Sequence, residues 1–126
     1  MAGLAEIMDS IAASLDPLTT SIDGLQITPF LNPSPTPPSL DIYPADTSGL
    51  PVAQDGWEEM FTVRARVSTP DDVEAQNVLL SMMDVHGPTS VVEALRAGGF
   101  VVDERTGFQP YPGDWLGCEW RVRTIQ

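Results

Sequence analysis

Two side chains in this sequence could take part in nucleophilic or acid–base chemistry, His86 and Cys118, each the single residue of its type. A cysteine beside a histidine can act as an activated nucleophile, but neither residue lies within a recognisable local signature. We interpret His86 as a residue at a helix end, where the helix dipole favours a cation. We interpret Cys118 as a small buried hydrophobe on a strand. An enzyme using this pair remains the least favoured of the functional alternatives.

Metal and cofactor sites are not predicted from the remaining residues. One cysteine excludes an internal disulfide and a zinc site with several thiolates. The acids Asp71, Asp72 and Glu74 match the first turn of a helix better than the ligand spacing of a calcium loop. Gly98-Gly99 matches a helix end, without the lysine motif of a phosphate-binding loop. The sequence therefore predicts no catalytic residue, no metal and no cofactor.

Four of the six arginines form a pattern that a hydrophobic core does not explain. Arg64 and Arg66 alternate with apolar residues on one predicted strand, and Arg121 and Arg123 do so on another. If both strands lie in one sheet, the arginines form a stripe on the face away from the core. They are then either solvated side chains or an interface, because adjacent like charges are unfavourable without compensation. A head-to-tail contact between copies would close into a ring or grow into a filament.

Charge and length limit the classes of function. The 126 residues include 18 acids and six bases, for a formal net charge of −12. Such a chain is not suited to gripping nucleic acid or an anionic membrane over a broad surface. Its 42% apolar residues are enough for a core, and no apolar run approaches the roughly 18 residues of a membrane span. We predict one domain over residues 1–126.

The spacing of apolar residues predicts the order of elements. Helices are predicted at 2–15, 71–86 and 88–97, and strands at 22–30, 40–43, 57–67, 100–103 and 115–125, with a less regular strand candidate at 105–111. The order is roughly α-β-β-β-α-α-β-β. Grouped helices between runs of strands predict an α+β fold, a small mixed or antiparallel sheet with helices packed on one face. Thr69 is the predicted cap of the second helix, and Thr89 or Ser90 that of the third.

An irregular region is predicted at 31–55. Within it, residues 32–39 read NPSPTPPS, and four prolines in eight residues favour an extended, polyproline-like backbone. Residues 44–55 are predicted to form a loop that returns the chain to its longest strand. Loops of this length in a small domain are usually functional or become ordered on a partner.

The chain resembles a known family in the order of these elements and in several motifs. After the amphipathic N-terminal helix come the motifs PPSLDIYP (37–44), WEEMFTVRARVS (57–68), DDVEAQNVLLSMMD (71–84), GPTSVVEAL (87–95) and GCEWRVR (117–123). In this arrangement the chain resembles the tail terminator, or tail completion, proteins of long-tailed bacteriophages. The similarity extends over nearly the whole chain.

The resemblance implies a structural virion protein. Such proteins are small α+β protomers that form a ring of six copies, cap the tail tube, stop its polymerisation and join the tail to the head connector. The implied partners are further copies of the chain, the tail tube protein and head–tail connector proteins. DNA would pass through the ring without specific binding, and no membrane is involved. The implied location is the virion tail or neck, and the host cytoplasm during assembly.

Two other structural or binding roles stay open at this point. A head-completion or head–tail adaptor protein of the neck shares the size, acidity and ring formation. A generic acidic protein-interaction domain without a virion role is the other. Binding to tail-tube protein rather than to portal would distinguish a tail terminator from the head–tail adaptor. A stable monomer at high concentration would favour the generic interaction domain.

Overall fold

A computed structural model describes residues 3–45, 50–52, 56–68 and 72–125 of the chain. These residues form four helices, α1 (Leu4–Leu15), α2 (Leu18–Ser21), α3 (Val73–Met83) and α4 (Val91–Ala97). They also form seven strands, β1 (Gln26–Thr28), β2 (Ser39–Pro44), β3 (Leu50–Val52), β4 (Gly56–Val67), β5 (Val101–Arg105), β6 (Gln109–Tyr111) and β7 (Trp115–Ile125).

The two long strands β4 and β7 form the centre of one mixed sheet. They pair antiparallel over almost their full lengths, and the strand order across the sheet is β1-β2-β4-β7-β5. Strand β1 is parallel to β2, whereas the other pairings are antiparallel. β3 continues along β4 beyond β2, and β6 continues along β7 beyond β5. Among the described strands, β1 and β5 are therefore the two edges of this path.

The core lies between one face of this sheet and the helices, and we call this face the helical face. Alternation along β4 and β7 directs every second side chain onto it. Its largest fully buried side chains from the sheet are Trp120, Phe61, Leu40, Ile42, Val63 and Val67. Helices α1, α3 and α4 contribute Ile11, Leu15, Leu79, Met82, Leu95 and Val91. This arrangement confirms the predicted α+β fold with helices on one face.

The helices pack closely on this layer and on each other. Ile7, Ile11 and Leu15 recur on one side of α1 and are buried, as the spacing predicted. A Cβ atom at Gly98 would overlap the side chain of Ser14, so the glycine permits the close approach of α4 to α1. No helix in the described part of the chain is long and apolar enough to cross a membrane.

The helix boundaries differ from those predicted. Helix α3 begins at Val73, and its cap is Asp72, whose carboxylate accepts hydrogen bonds from the backbone N–H groups of Glu74 and Ala75. The predicted cap Thr69 lies outside the described residues. Helix α3 ends at Met83 rather than at 86, and α4 begins at Val91 rather than at 88, capped by Ser90. The short helix α2 was not predicted, because four residues carry no periodicity.

The strand predictions need two corrections. Strand β1 covers only Gln26–Thr28 of the predicted 22–30, since α2 and a turn occupy the residues before it. Strand β3 lies inside the predicted loop at 44–55, where its pairing to β4 compensates for a sequence with no strand pattern. Within that loop, residues 46–49 and 53–55 lie outside the described residues. The uncertain strand at 105–111 is present as β6, Gln109–Tyr111.

Trp120 is the largest fully buried side chain of the core, so Trp120→Ala should destabilise the fold by about 3–5 kcal/mol. Trp120→Phe is the matched control, because it keeps an aromatic ring and removes an indole N–H that has no partner among the described residues. Urea unfolding monitored by circular dichroism measures both. A loss below about 1 kcal/mol for the alanine variant would contradict the assignment of this face to the core.

Candidate functional site: the arginine face and the sheet edges

Arg64, Arg66, Arg121 and Arg123 lie on the same face of the sheet, opposite the helices, and we call it the arginine face. Their neighbours along β4 and β7 are buried on the helical face, which places the arginines on the other side. The structure therefore brings together the four residues that the sequence singled out. It also places carboxylates among them, Asp41 from β2, Asp103 and Glu104 from β5, and Glu119 from β7 itself.

Asp41 on β2 is the centre of the arginine face. It lies directly opposite Arg64 in the β2–β4 register. The two side chains form a bidentate pair, with Arg64 Nε 3.0 Å from Oδ1 and a terminal nitrogen 2.6 Å from Oδ2. Asp41 is fully buried. Burial opposes the charge on Arg64, but the hydrogen bonds and charge of Asp41 outweigh it and raise the pKa of Arg64.

A second arginine shares the same carboxylate. A terminal nitrogen of Arg66 lies 3.3 Å from Asp41 Oδ2 and donates a 2.7 Å hydrogen bond to the carbonyl of Asn32. Arg66 is only 5% exposed, and this burial, with the neighbouring Arg64, lowers its pKa against the opposing effect of Asp41. Both guanidiniums stay protonated, because the starting pKa of arginine lies far above neutrality.

This cluster also fixes the proline-rich segment. The backbone N–H of Asn32 donates to Asp41 Oδ2 at 3.0 Å, and its side chain donates to the Thr28 hydroxyl. Further along, the N–H of Thr36 donates to the side chain of Gln26 at 3.0 Å. Residues 32–38 belong to no helix or strand, bend at 33–34 and 37–38, and contain a cis peptide bond between Pro37 and Pro38, so the segment is irregular as predicted but not a continuous extended run. Its first part is therefore held over the sheet by bonds within the same chain.

Two tyrosine rings flank the Arg64 guanidinium. Its central carbon lies 5.1 Å from the ring centre of Tyr43 and 5.5 Å from that of Tyr111, within the range of cation–π attraction. The Tyr111 hydroxyl donates a 2.7 Å hydrogen bond to Glu119. Burial, and then this bond, raise the pKa of Tyr111. The hydroxyl therefore stays protonated at physiological pH and remains the donor of this bond.

Arg121 and Arg123 are held more loosely. Arg121 Nε lies 3.2 Å from a carboxylate oxygen of Glu104, and Arg123 Nε lies 3.1 Å from one of Asp103, both on β5. The side chains of these pairs are between 32% and 64% exposed, so each pair contributes little to stability. All four arginines of this face thus have carboxylate partners within the chain. Sequence reasoning missed Asp41 because its isolated position in SLDIYP gives no sign of burial.

The β1 edge carries an open groove, which we call the α1–β1 groove. It has a volume of about 370 Å³ and is lined by Asp9, Ala12, Ala13, Asp16, Ile27 and Pro29. Its floor is apolar, while Asp9 and Asp16 are exposed and contact no basic side chain among the described residues. Phe30 and Leu31, which follow β1, are 59% and 54% exposed.

The opposite edge has different chemistry. Strand β5 is mostly exposed, with Val101 46% exposed, and Phe108 before β6 is 41% exposed. The acids of β5 are paired with Arg121 and Arg123. Arg96 at the end of α4 and Arg105 at the end of β5 are exposed and form no ion pair with the described residues. Within the described ranges, this side of the molecule therefore offers two arginines that have no carboxylate partner.

The residues considered for chemistry do not form a reactive pair. Cys118 is fully buried on the helical face, and burial raises the pKa of its thiol to about 12. His86 is 82% exposed in the α3–α4 connection, beyond the end of α3, with Nδ1 3.7 Å from a Glu93 oxygen. The interpretation of Cys118 as a buried hydrophobe is confirmed. Among the described residues, no group of three or more histidine, cysteine, aspartate or glutamate side chains could hold a metal.

Comparison of the chain with protein-family models and with curated proteins finds no significant match.

Asp41→Ala should destabilise the fold by about 3–5 kcal/mol, because two largely buried guanidiniums and the Asn32 N–H lose their shared acceptor. Glu104→Ala is the matched control, since it removes one carboxylate from an exposed pair and should cost no more than about 1 kcal/mol. Urea denaturation gives both values. Equal losses for the two variants would contradict the central role of Asp41.

The Cys118 thiol should not react with a maleimide in the native protein at pH 8, because a pKa raised to about 12 leaves almost no thiolate. The same protein in urea should react fully, since unfolding exposes the thiol and returns its pKa to the ordinary range. Mass spectrometry after timed labelling measures the two rates. Rapid native labelling would show an accessible thiolate and would revive the enzyme hypothesis.

Proposed function

We propose that this chain is a structural protein of a phage virion, a tail terminator whose copies form a ring on the end of the tail tube. In this role the ring stops polymerisation of the tube and provides the surface that meets the head connector. The proposal combines the family resemblance of the sequence with one structural observation. That observation is the presence of two unlike, accessible surfaces on opposite edges of the sheet.

The two edges support a ring because they differ from each other. Phe30 and Leu31 are exposed beside β1, whereas Val101 and Phe108 are exposed near β5, at the other end of the strand order. A symmetric dimer would use one patch twice. A contact between two different patches is heterologous, and it forms a closed ring when the rotation between copies closes. Patches on opposite edges allow such a contact to repeat from one copy to the next.

The charge of the protomer supports a ring that DNA crosses. Four arginines of the sheet are already paired with carboxylates of the same chain. The net charge of −12 is therefore carried mainly by surface acids. A ring of six such protomers would carry about six times this charge, and it would repel the phosphate backbone rather than retain it.

A tube-growth assay tests the function directly. Purified tail-tube protein of a long-tailed phage is polymerised in the presence of increasing amounts of this protein, and tube lengths are measured by electron microscopy. We expect the mean length to fall as the protein concentration rises, with the added density at one tube end only. Stoichiometry of the end density then gives the number of copies.

Two controls make this assay decisive. An unrelated acidic protein at equal concentration should leave the tube length unchanged. A variant with Val101→Asp and Phe108→Asp, which removes the exposed apolar side chains of the β5 edge, should fold normally but terminate tubes poorly. Tubes that grow to the same length with the wild-type chain would contradict the proposal. Binding to a portal ring, with no binding to tubes, would instead favour the head–tail adaptor.

A further inference from the structure

We propose that the β5 edge of one copy docks into the α1–β1 groove of a second copy, where Arg96 and Arg105 of the first meet Asp9 and Asp16 of the second. This inference rests on the proposed function only for the closure of the contact into a ring. It goes further by naming the occupant of the groove and the four charged residues that select it.

Charge complementarity identifies the occupant. In the described part of the chain, Arg96 and Arg105 are the arginines that form no ion pair. Arg105 ends β5, and Arg96 lies in the last turn of α4, the helix that leads into β5 and contacts it. On the β1 side, Asp9 and Asp16 line the groove, are exposed and form no ion pair with another described residue. The arginines without an ion pair in one copy can therefore meet the groove aspartates of another. The acids of β5 do not oppose this contact, because Arg121 and Arg123 already pair with them.

The four residues also lie on the same side of the sheet. Arg105 lies opposite Trp120 in the β5–β7 register, and Trp120 is buried on the helical face. Arg96 belongs to α4, and Asp9 and Asp16 to α1, so all three belong to the helical layer. Two protomers placed edge to edge with their sheets in line would bring the arginines and aspartates to the same level.

Backbone and apolar groups complete the contact. Each edge strand pairs with a single neighbour among the described strands, which leaves hydrogen-bonding groups of β1 and β5 available to another strand. Ile27, Pro29 and two alanines form the floor of the groove. On the helical face of the entering edge, Val102 lies opposite Val122 and is half-buried. Removal of these surfaces from water would favour association, while the charges fix the partner and its register.

Charge reversal in two complementary variants tests the contact. The first variant carries Arg96→Glu and Arg105→Glu, and the second carries Asp9→Arg and Asp16→Arg. Each variant alone places like charges at every contact, so we expect its self-association to weaken by about 100-fold or more. An equal mixture should restore association, because every contact in an alternating assembly again joins opposite charges. Sedimentation velocity across a concentration series, at low and high salt, measures this.

The second variant separates the specific contact from net charge. Its substitutions make the chain less negative, so general repulsion alone predicts stronger association than in the wild type. The specific contact predicts weaker association. Glu74→Arg with Asp84→Arg is the matched control, because it reverses the same number of exposed acids, one in the first turn of α3 and one directly after that helix, away from both edges. This control should associate at least as well as the wild type.

The outcomes decide the contact independently of the proposed function. Loss in each variant, rescue in the mixture and weakening by salt would support the contact. A wild-type chain that stays monomeric, a variant that associates normally, or a mixture without rescue would overturn it. Tube termination by a wild-type chain that stays monomeric would keep the proposed function and reject this contact. A ring that associates as expected but leaves tube growth unchanged would keep this contact and contradict the proposed function.

Discussion

The structure depends on one buried carboxylate. Asp41 accepts from Arg64 and the Asn32 N–H and lies beside Arg66, so one negative charge holds together β2, β4 and the proline-rich segment. The sheet places Asp41 directly opposite Arg64, and the tyrosines on either side keep the guanidinium in place. A buried charge cluster of this kind is tolerated only when its partners are all present. It therefore constrains a segment that has almost no hydrophobic anchor of its own.

The ion pairs of this face change how the arginine pattern of the sequence is interpreted. In the sequence, four alternating arginines suggest a basic surface that is free to bind another molecule. In the structure, each has a carboxylate partner within the same chain, and the positive charge available for a partner is reduced to Arg96 and Arg105. The accessible surface that remains is acidic in the groove at the β1 edge and carries the two arginines on the β5 side. Our proposals for a ring and for its contact follow from this distribution of charge.

The success of the sequence predictions followed the length of each pattern. The strand at 57–67, the closing strand at 115–125 and the first helix have long regular patterns, and the structure agrees with them to within a residue or two. Helix α2, strand β3 and the true start of α3 were missed. Three or four residues are too few for a period, and pairing with β4 rather than local preference makes β3 a strand. Alternation alone predicts that Arg64 and Arg66 share one side of their strand and that Arg121 and Arg123 share one side of theirs, and the β4–β7 pairing then brings all four onto one face.

The sequence by itself determined the class of fold, the inward face of the central strands, the burial of Cys118 and Trp120, and the strong negative charge. These follow from composition and from periodicity along a single segment. Only the tertiary structure decided that one carboxylate, Asp41, pairs with both Arg64 and Arg66, and that Asp9 and Asp16 lie at the β1 edge while Arg105, which has no ion pair among the described residues, lies at the β5 edge. Asp41 is 23 residues from Arg64 in the chain. Such a pairing depends on strand order and register, and no local pattern in the sequence encodes either of them.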